Sequence, residues 1–355
     1  MRKHLKLIIA LSLVLQIIGI KILANFPEFV ETYYSNGLYK YIAKFMHFTF
    51  GWIPFSVGDI LYTLASVYSI RWLIINRKRI INDTKNWVID GVSTIAIAYF
   101  AFHMLWAFNY YRLPLHQSMQ LKKDYTTDAL VETSKKLITK VNAIHHSISI
   151  HDSLAILMPY TKKELLKLTP LGYKKLAEKY PNLKYNPKSL KRSIYSLPLT
   201  YMGFSGYLNP FTNEAQIDGL IPTFKYPTTA SHEIAHQLGF AAENEANFIG
   251  CLATIHHDDI YFKYSGYAFA LRHCLIELYK RDPEKYKELT AMVNTGVLKN
   301  YQEVQDFWRG YENPTEPLFK STYNNFLKAN NQVKGMESYS YVVALLVNYF
   351  QEKSL

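Results

Sequence analysis

Cysteine is scarce in this 355-residue chain: there are only two, Cys251 and Cys274. Without CxxC spacing they make no thiolate metal cluster and no dithiol redox motif. They could pair if their region lies outside the cytoplasm, or remain buried free thiols, the plainer reading. Internal repeats and low-complexity linkers are also missing, as is any zinc-finger, helix-turn-helix or RNA-binding signature. That last absence matters because a net charge of +12 would otherwise suggest a nucleic-acid partner. Much of the excess sits beside apolar runs, as Arg2, Lys3 and Lys6 and as Arg77, Lys78 and Arg79, and the remaining lysines are scattered. No nucleic-acid partner is expected, and an anionic lipid bilayer suits the charge better.

What the chain does have is an uneven distribution of apolar residues. Their total of 49% is ordinary, yet the long runs all lie before about residue 110. Residues 5–24 form a run of the length needed to cross a hydrocarbon core of roughly 30 Å. No clean small-x-small cleavage site follows before Asn25-Phe26-Pro27, so an uncleaved anchor fits better than a signal peptide. Residues 55–75, with Asp59 and Arg71 near the ends, and residues 87–108, with Trp106, Tyr110 and Tyr111 at the exit, repeat the pattern. The expectation is a membrane domain over residues 1–110 with three transmembrane helices, then a globular domain over 111–355. Basic residues at the amino terminus and at Arg77, Lys78, Arg79 and Lys85 place both on the cytoplasmic side, so three crossings deliver the globular part outside.

That part reads as α+β and mostly helical. Thr127 or Asp128 can cap a helix carrying Leu130, Leu137, Ile138 and Val141 at helical spacing. A second helix over Lys162–Tyr180 is expected to break at Thr169-Pro170. Alternation between Ser193 and Ile217, punctuated by Gly203, Gly206 and Pro210, suggests two short strands or a hairpin. Helices resume at about Thr228, and Ser340–Phe350 is a core helix too short to span a bilayer.

The chemistry concentrates in residues 228–250, TTASHEIAHQLGFAAENEANFIG. His232 and His236 are four apart and project from one helical face, where two imidazoles can bind one zinc ion. Glu233 stands beside the metal as the catalytic general base and acid. Thr228, Thr229 and Ser231 offer helix caps, and Gly239 offers the stop. The third ligand is Glu243, with Glu245 the alternative. Glu243, Ala246, Asn247 and Gly250 share a face, and the small residues permit close approach to the first helix. Asn247 would then orient a histidine by a hydrogen bond. His256-His257-Asp258-Asp259 reads as a solvated turn; His145, His146 and His151 lack ligand spacing. For an oxyanion partner, Tyr339 and Tyr267 are the candidates among 29 tyrosines.

HExxH, a glycine, then ExxAN on the next helix resembles the gluzincin class of metallopeptidases, whose third ligand is a glutamate on a following helix. It is similar to the CAAX prenyl protease type, with Asn247 in place of that pattern's aspartate and a shorter gap between the helices. The whole layout most resembles an uncharacterised bacterial family of membrane-anchored zincin-like proteins, a domain of unknown function. The segments Asn109-Tyr110-Tyr111-Arg112-Leu113-Pro114-Leu115 and Gly206-Tyr207-Leu208-Asn209-Pro210-Phe211 carry it together with the HExxH run. The resemblance implies an inner-membrane protein with an extracytoplasmic zincin domain and a peptide or protein substrate. Zincins usually carry an edge strand along the cleft, for which Ser205–Gln216 is the candidate. Two other readings stand beside this: a non-catalytic envelope scaffold with a closed structural metal site, and a transport or lipid-handling component using Asp59, Arg71 and Asp90.

Overall fold

The computed structural model describes residues 2–332 and 339–352. Helix α1 (Arg2–Leu23) leads through a π-helical stretch, Val30–Leu38, into α2 (Tyr39–Phe50). Helices α3 (Val57–Ile75) and α4 (Thr84–Leu105) follow, then α5 (Thr127–Ile148) and α6 (Lys162–Lys179). Strands β1 (Leu190–Arg192), β2 (Gly206–Asn209) and β3 (Glu214–Ile217) precede α7 (Tyr226–Gln237), α8 (Glu243–Ile255) and α9 (Ile260–Arg281). The principal helices beyond are α10 (Thr295–Arg309), α11 (Glu316–Ala329) and α12 (Tyr339–Glu352).

Two helical stretches, His4–Leu23 and Thr84–Leu105, are long and apolar enough to cross a membrane, where three were expected. The difference is α3. It is a 19-residue helix at the expected place, but its polar residues dilute its apolarity and its first turn belongs to the globular part. Gly58 N–H donates to Glu214 Oε2 at 2.6 Å. Buried Asp59 accepts from Ser193 Oγ at 2.9 Å, from the Ile194 N–H at 2.8 Å and from the Tyr207 hydroxyl. The acid near the end of that run is a tie between elements.

Helices α1 and α4 pack side by side and run in the same direction. Lys6 meets Asp90 at 2.6 Å at one end, with Arg79 on the same carboxylate at 3.0 Å. Ile20 and Trp106 share a hydrophobic cluster at the other. Helix α3 makes the return run, and its Trp72 stacks on Trp87 at the start of α4.

In the globular part the expected helices form, with shifted boundaries. Thr126 caps α5, accepting from Ala129 N–H. Helix α6 opens on a capping box of Thr161 and Glu164 and runs unbroken through Pro170. An internal proline costs about 3 kcal/mol; burial of Leu165, Tyr173 and Leu176 returns roughly 1.5–3 kcal/mol each. Helix α12 is the core helix expected, with Val342 to Val347 all buried. The hairpin is β2–β3, and β1 joins β3 in parallel, a third strand that was not foreseen. In the order β1-β3-β2, β3 is central and β2 is an edge.

Contacts cross residue 110 freely. Tyr39 OH donates to Gln237 O at 2.9 Å, His47 Nε2 meets Asn213 Oδ1 at 2.8 Å, and Arg112 forks onto Glu31 at 2.7 and 2.8 Å.

Candidate metal centre

Helix α7 starts at Tyr226 with Pro227 in its first turn, two residues before the expected Thr228. The expected caps are not used as such; the Thr228 hydroxyl donates to Lys225 O at 3.0 Å. Gly239 ends the helix with φ +88°, and a Cβ there would stand 2.8 Å from Asn109 Oδ1. The turn folds α8 back against α7, and Gly250 sets their spacing: a Cβ on it would lie 2.7 Å from the His232 backbone nitrogen.

This pairing brings four side chains together. The rings of His232 and His236 sit one turn apart with centroids separated by 4.6 Å. His236 Nδ1 lies 2.7 Å from the Phe240 carbonyl, which can only accept, so Nδ1 carries the proton. His232 Nδ1 faces Asn247 Oδ1 at 2.9 Å in the same sense. Both Nε2 atoms then turn to Glu243, at 3.3 Å from His232 and 3.5 Å from His236. Each imidazole already donates through Nδ1, so a carboxylate facing Nε2 is satisfied only by a second proton or by a cation between them. Without a cation, burial would depress His236, but the Glu243 charge carries it up to about 9. Burial would likewise raise Glu243, yet the two imidazoles hold it well below the usual carboxylate range.

Glu233 completes the group. Its Oε2 is buried without a hydrogen-bond partner, and burial pushes its carboxyl upward against the pull of the two histidines. His232, Glu233 and His236 could hold a metal ion, their ligand atoms lying within 4.8 Å of one another. Two imidazole nitrogens and an acidic oxygen, with one carboxylate oxygen left unpartnered, are a donor set that suits such an ion. Glu245, the alternative ligand, is elsewhere: it is buried and its Oε1 accepts from Leu115 N–H at 2.6 Å.

The group opens on a cavity of about 1030 Å³. Gly206 of the edge strand β2 comes so close that a Cβ would stand 2.9 Å from Glu233 Oε1. Three neighbours escaped the sequence reading. Tyr323 on α11 donates its hydroxyl to Glu243 Oε1 at 2.5 Å. Trp106 donates Nε1–H to the His236 carbonyl at 3.0 Å. Lys225 lines the cavity just ahead of α7. Trp106 was visible only as an interfacial aromatic, and nothing local marks Tyr323 among so many tyrosines.

Of the two tyrosines expected to serve an oxyanion, the one whose side chain is described, Tyr267, is not at this site. Tyr267 packs on Phe350 and beneath Lys140 and does not line the cavity; the Tyr339 side chain lies outside the described residues. Asp259 caps α9 and His257 faces the Leu168 carbonyl, so that turn is structural. Cys251 and Cys274 are buried and free.

No curated protein and no solved structure matches the chain. A family described as "Protein of unknown function (DUF3810)" matches residues 34–347, from the π-helical stretch into α12 and across the whole of the centre. This chain is therefore a member of the DUF3810 family.

Proposed function

We propose that this protein is a membrane-anchored zinc hydrolase that cleaves peptide bonds. The observation that carries the reading is the convergence of His232 Nε2 and His236 Nε2 on Glu243, at 3.3 and 3.5 Å. Beside them Glu233 keeps a buried, unpartnered oxygen. His232, His236 and Glu243 would hold the zinc, Asn247 and the Phe240 carbonyl fix the imidazoles, and Tyr323 restrains Glu243. Zinc held there supplies Lewis acidity, acidifying water and polarising a carbonyl. Glu233 accepts the proton from attacking water at its free oxygen and passes it to the leaving amine. The free edge of β2 supports a peptide substrate, because an extended chain can add there as a further strand.

Helices α1 and α4 form the anchor, with α3 as the return crossing between them, which puts the basic amino terminus on the cytoplasmic side of the bacterial inner membrane and the cavity outside. Two observations weigh against the rival readings. Glu245 is held by the Leu115 N–H, so it does not join Glu243 and the two histidines as the fourth ligand of a closed structural site. Asp59 and Asp90 are bound to other side chains, unlike the accessible acids of a transport path.

The test uses full-length protein in detergent. One zinc per chain by elemental analysis, lost in His232→Ala, is expected. Glu233→Gln should keep the zinc and lose at least about 100-fold in turnover on a peptide library. A folded wild-type chain that takes up no zinc overturns the reading, as does a Glu233→Gln enzyme of full activity.

A further inference from the structure

Helix α2 lies on the chain between the end of α1 and the start of α3, and its two faces differ. Tyr39, Ala43 and His47 are buried and fasten it to the globular part. The Tyr39 hydroxyl donates to Gln237 O at the end of α7 and accepts from Asn213 Nδ2 at 2.8 Å, while His47 meets the same asparagine. At 3.6 residues per turn, Tyr41, Phe45 and Phe48 fall within an arc of about 60° on the opposite side. These three, with Trp52 just beyond the helix, are between 65 and 78% exposed. Phe29 before α2 and Phe55 after it are also half or more exposed.

This surface is unusual for water. An aromatic side chain buries about 200 Å², so the four rings offer roughly 500 Å², the size at which an apolar patch marks an interaction site. Helix α2 cannot be a span itself, because its 12 residues reach about 18 Å and a hydrocarbon core is roughly 30 Å thick. Its composition suits a helix lying in an interface. Lys40 and Lys44 are exposed along one border of the aromatic stripe, and α2 carries no acid. Long basic side chains in that position reach lipid phosphates while the rings sink among the chains. Position argues the same way. Helix α1, long and apolar enough to cross a membrane, ends at Leu23, and α3 starts at Val57. The stripe therefore sits on the stretch of chain that joins the end of one membrane helix to the start of the next.

We propose that α2 lies in the plane of the outer leaflet, with Tyr41, Phe45, Phe48 and Trp52 sunk into a bilayer containing anionic phospholipid and Lys40 and Lys44 at its phosphates. The occupant of this face is lipid, at the depth of about 5–10 Å usual for interfacial helices. This rests on α1 and α4 crossing the membrane, and not on the chemistry of the metal centre. Because the buried face of α2 holds the end of α7, its seat in the leaflet sets the height of the metal helix above the lipid.

The test places an environment-sensitive dye on full-length protein in nanodiscs of phosphatidylglycerol and phosphatidylcholine. Phe45→Cys and Phe48→Cys supply the sites; Cys251 and Cys274 are buried and stay unlabelled. Ile8→Cys on the exposed side of α1 is the lipid reference, and Glu284→Cys on the exposed helix Pro283–Thr290 is the water reference. A nitroxide on the lipid chain should quench positions 45 and 48 at least threefold more than position 284, and aqueous iodide at least threefold less. Positions 45 and 48 behaving as position 284 does, while position 8 meets the nitroxide, overturns the interfacial seat and leaves the spans standing. Shielding of both from nitroxide and iodide alike also overturns it, in favour of a protein partner or a second copy. If position 8 fails to meet the nitroxide, the membrane anchor falls together with the seat.

Discussion

Glu243 is engaged by two imidazoles and a phenol at once, whereas Glu245, two residues on, is occupied by the Leu115 backbone. Their isosteric replacements should therefore behave differently. Glu243→Gln is expected to abolish zinc retention against a chelator, and Glu245→Gln to leave the stoichiometry at one. Asn247→Ala frees the His232 ring and should weaken zinc affinity about 10- to 100-fold without removing the site; competition with a fluorescent chelator measures both effects. Away from the centre, burial pushes His47 down to about 4 although Asn213 supports it. Between about 4 and 6.5 the unfolded chain binds a proton that the folded one refuses, so stability falls as pH drops through that window. His273 acts in the same sense and the same range. Melting followed by circular dichroism should show the loss, and His47→Gln should flatten part of it.

Helix α8 delivers Glu243 and Asn247 only because Gly250 lets it lie against the backbone of α7. Gly250→Ala sets a methyl 2.7 Å from a main-chain nitrogen, where no side-chain rotation relieves it. The helices must separate, at a cost of about 1–3 kcal/mol, and zinc affinity should fall with the melting temperature. Gly91→Ala on α4, with open space around it, should leave zinc binding unchanged. This pairing was largely legible in the sequence, because four-residue spacing on α7 and the small residues of α8 are local signals. The helix boundaries were less so: Pro170 sits inside α6 because burial outweighs its local penalty, and α7 begins at Tyr226 with Pro227, where threonine caps were expected. Trp106 and Tyr323 were illegible as site residues, since they arrive from elements about 130 residues before and 80 residues after the groups they touch.

For the whole molecule, the first 112 residues are built into the centre as well as joined to it. Tyr39 holds the carbonyl of Gln237, Trp106 that of His236, and the Arg112–Glu31 pair clasps the turn at Gly239. A fragment of residues 111–355 should consequently melt earlier and bind zinc more weakly than one of residues 25–355, which keeps those groups. Calorimetry and chelator competition on the two fragments check this. The sequence suggests three spans and two helices qualify, because Asp59, Arg71 and the hydroxyl-bearing residues of α3 lower its mean hydropathy over a span's length.

The last turn of α4 has a consequence for how a substrate arrives. That helix is 22 residues long, about 33 Å; its last turn carries Phe102, and Trp106 follows it directly, both in the cavity wall. If it crosses a bilayer, the wall stands at a fixed height where lipid meets water. Encounter then becomes a search in a plane: chains tethered to the same membrane reach the mouth by lateral diffusion at high local concentration, while molecules free in bulk must first come down to the surface. Discrimination would begin with altitude, before any side chain is read.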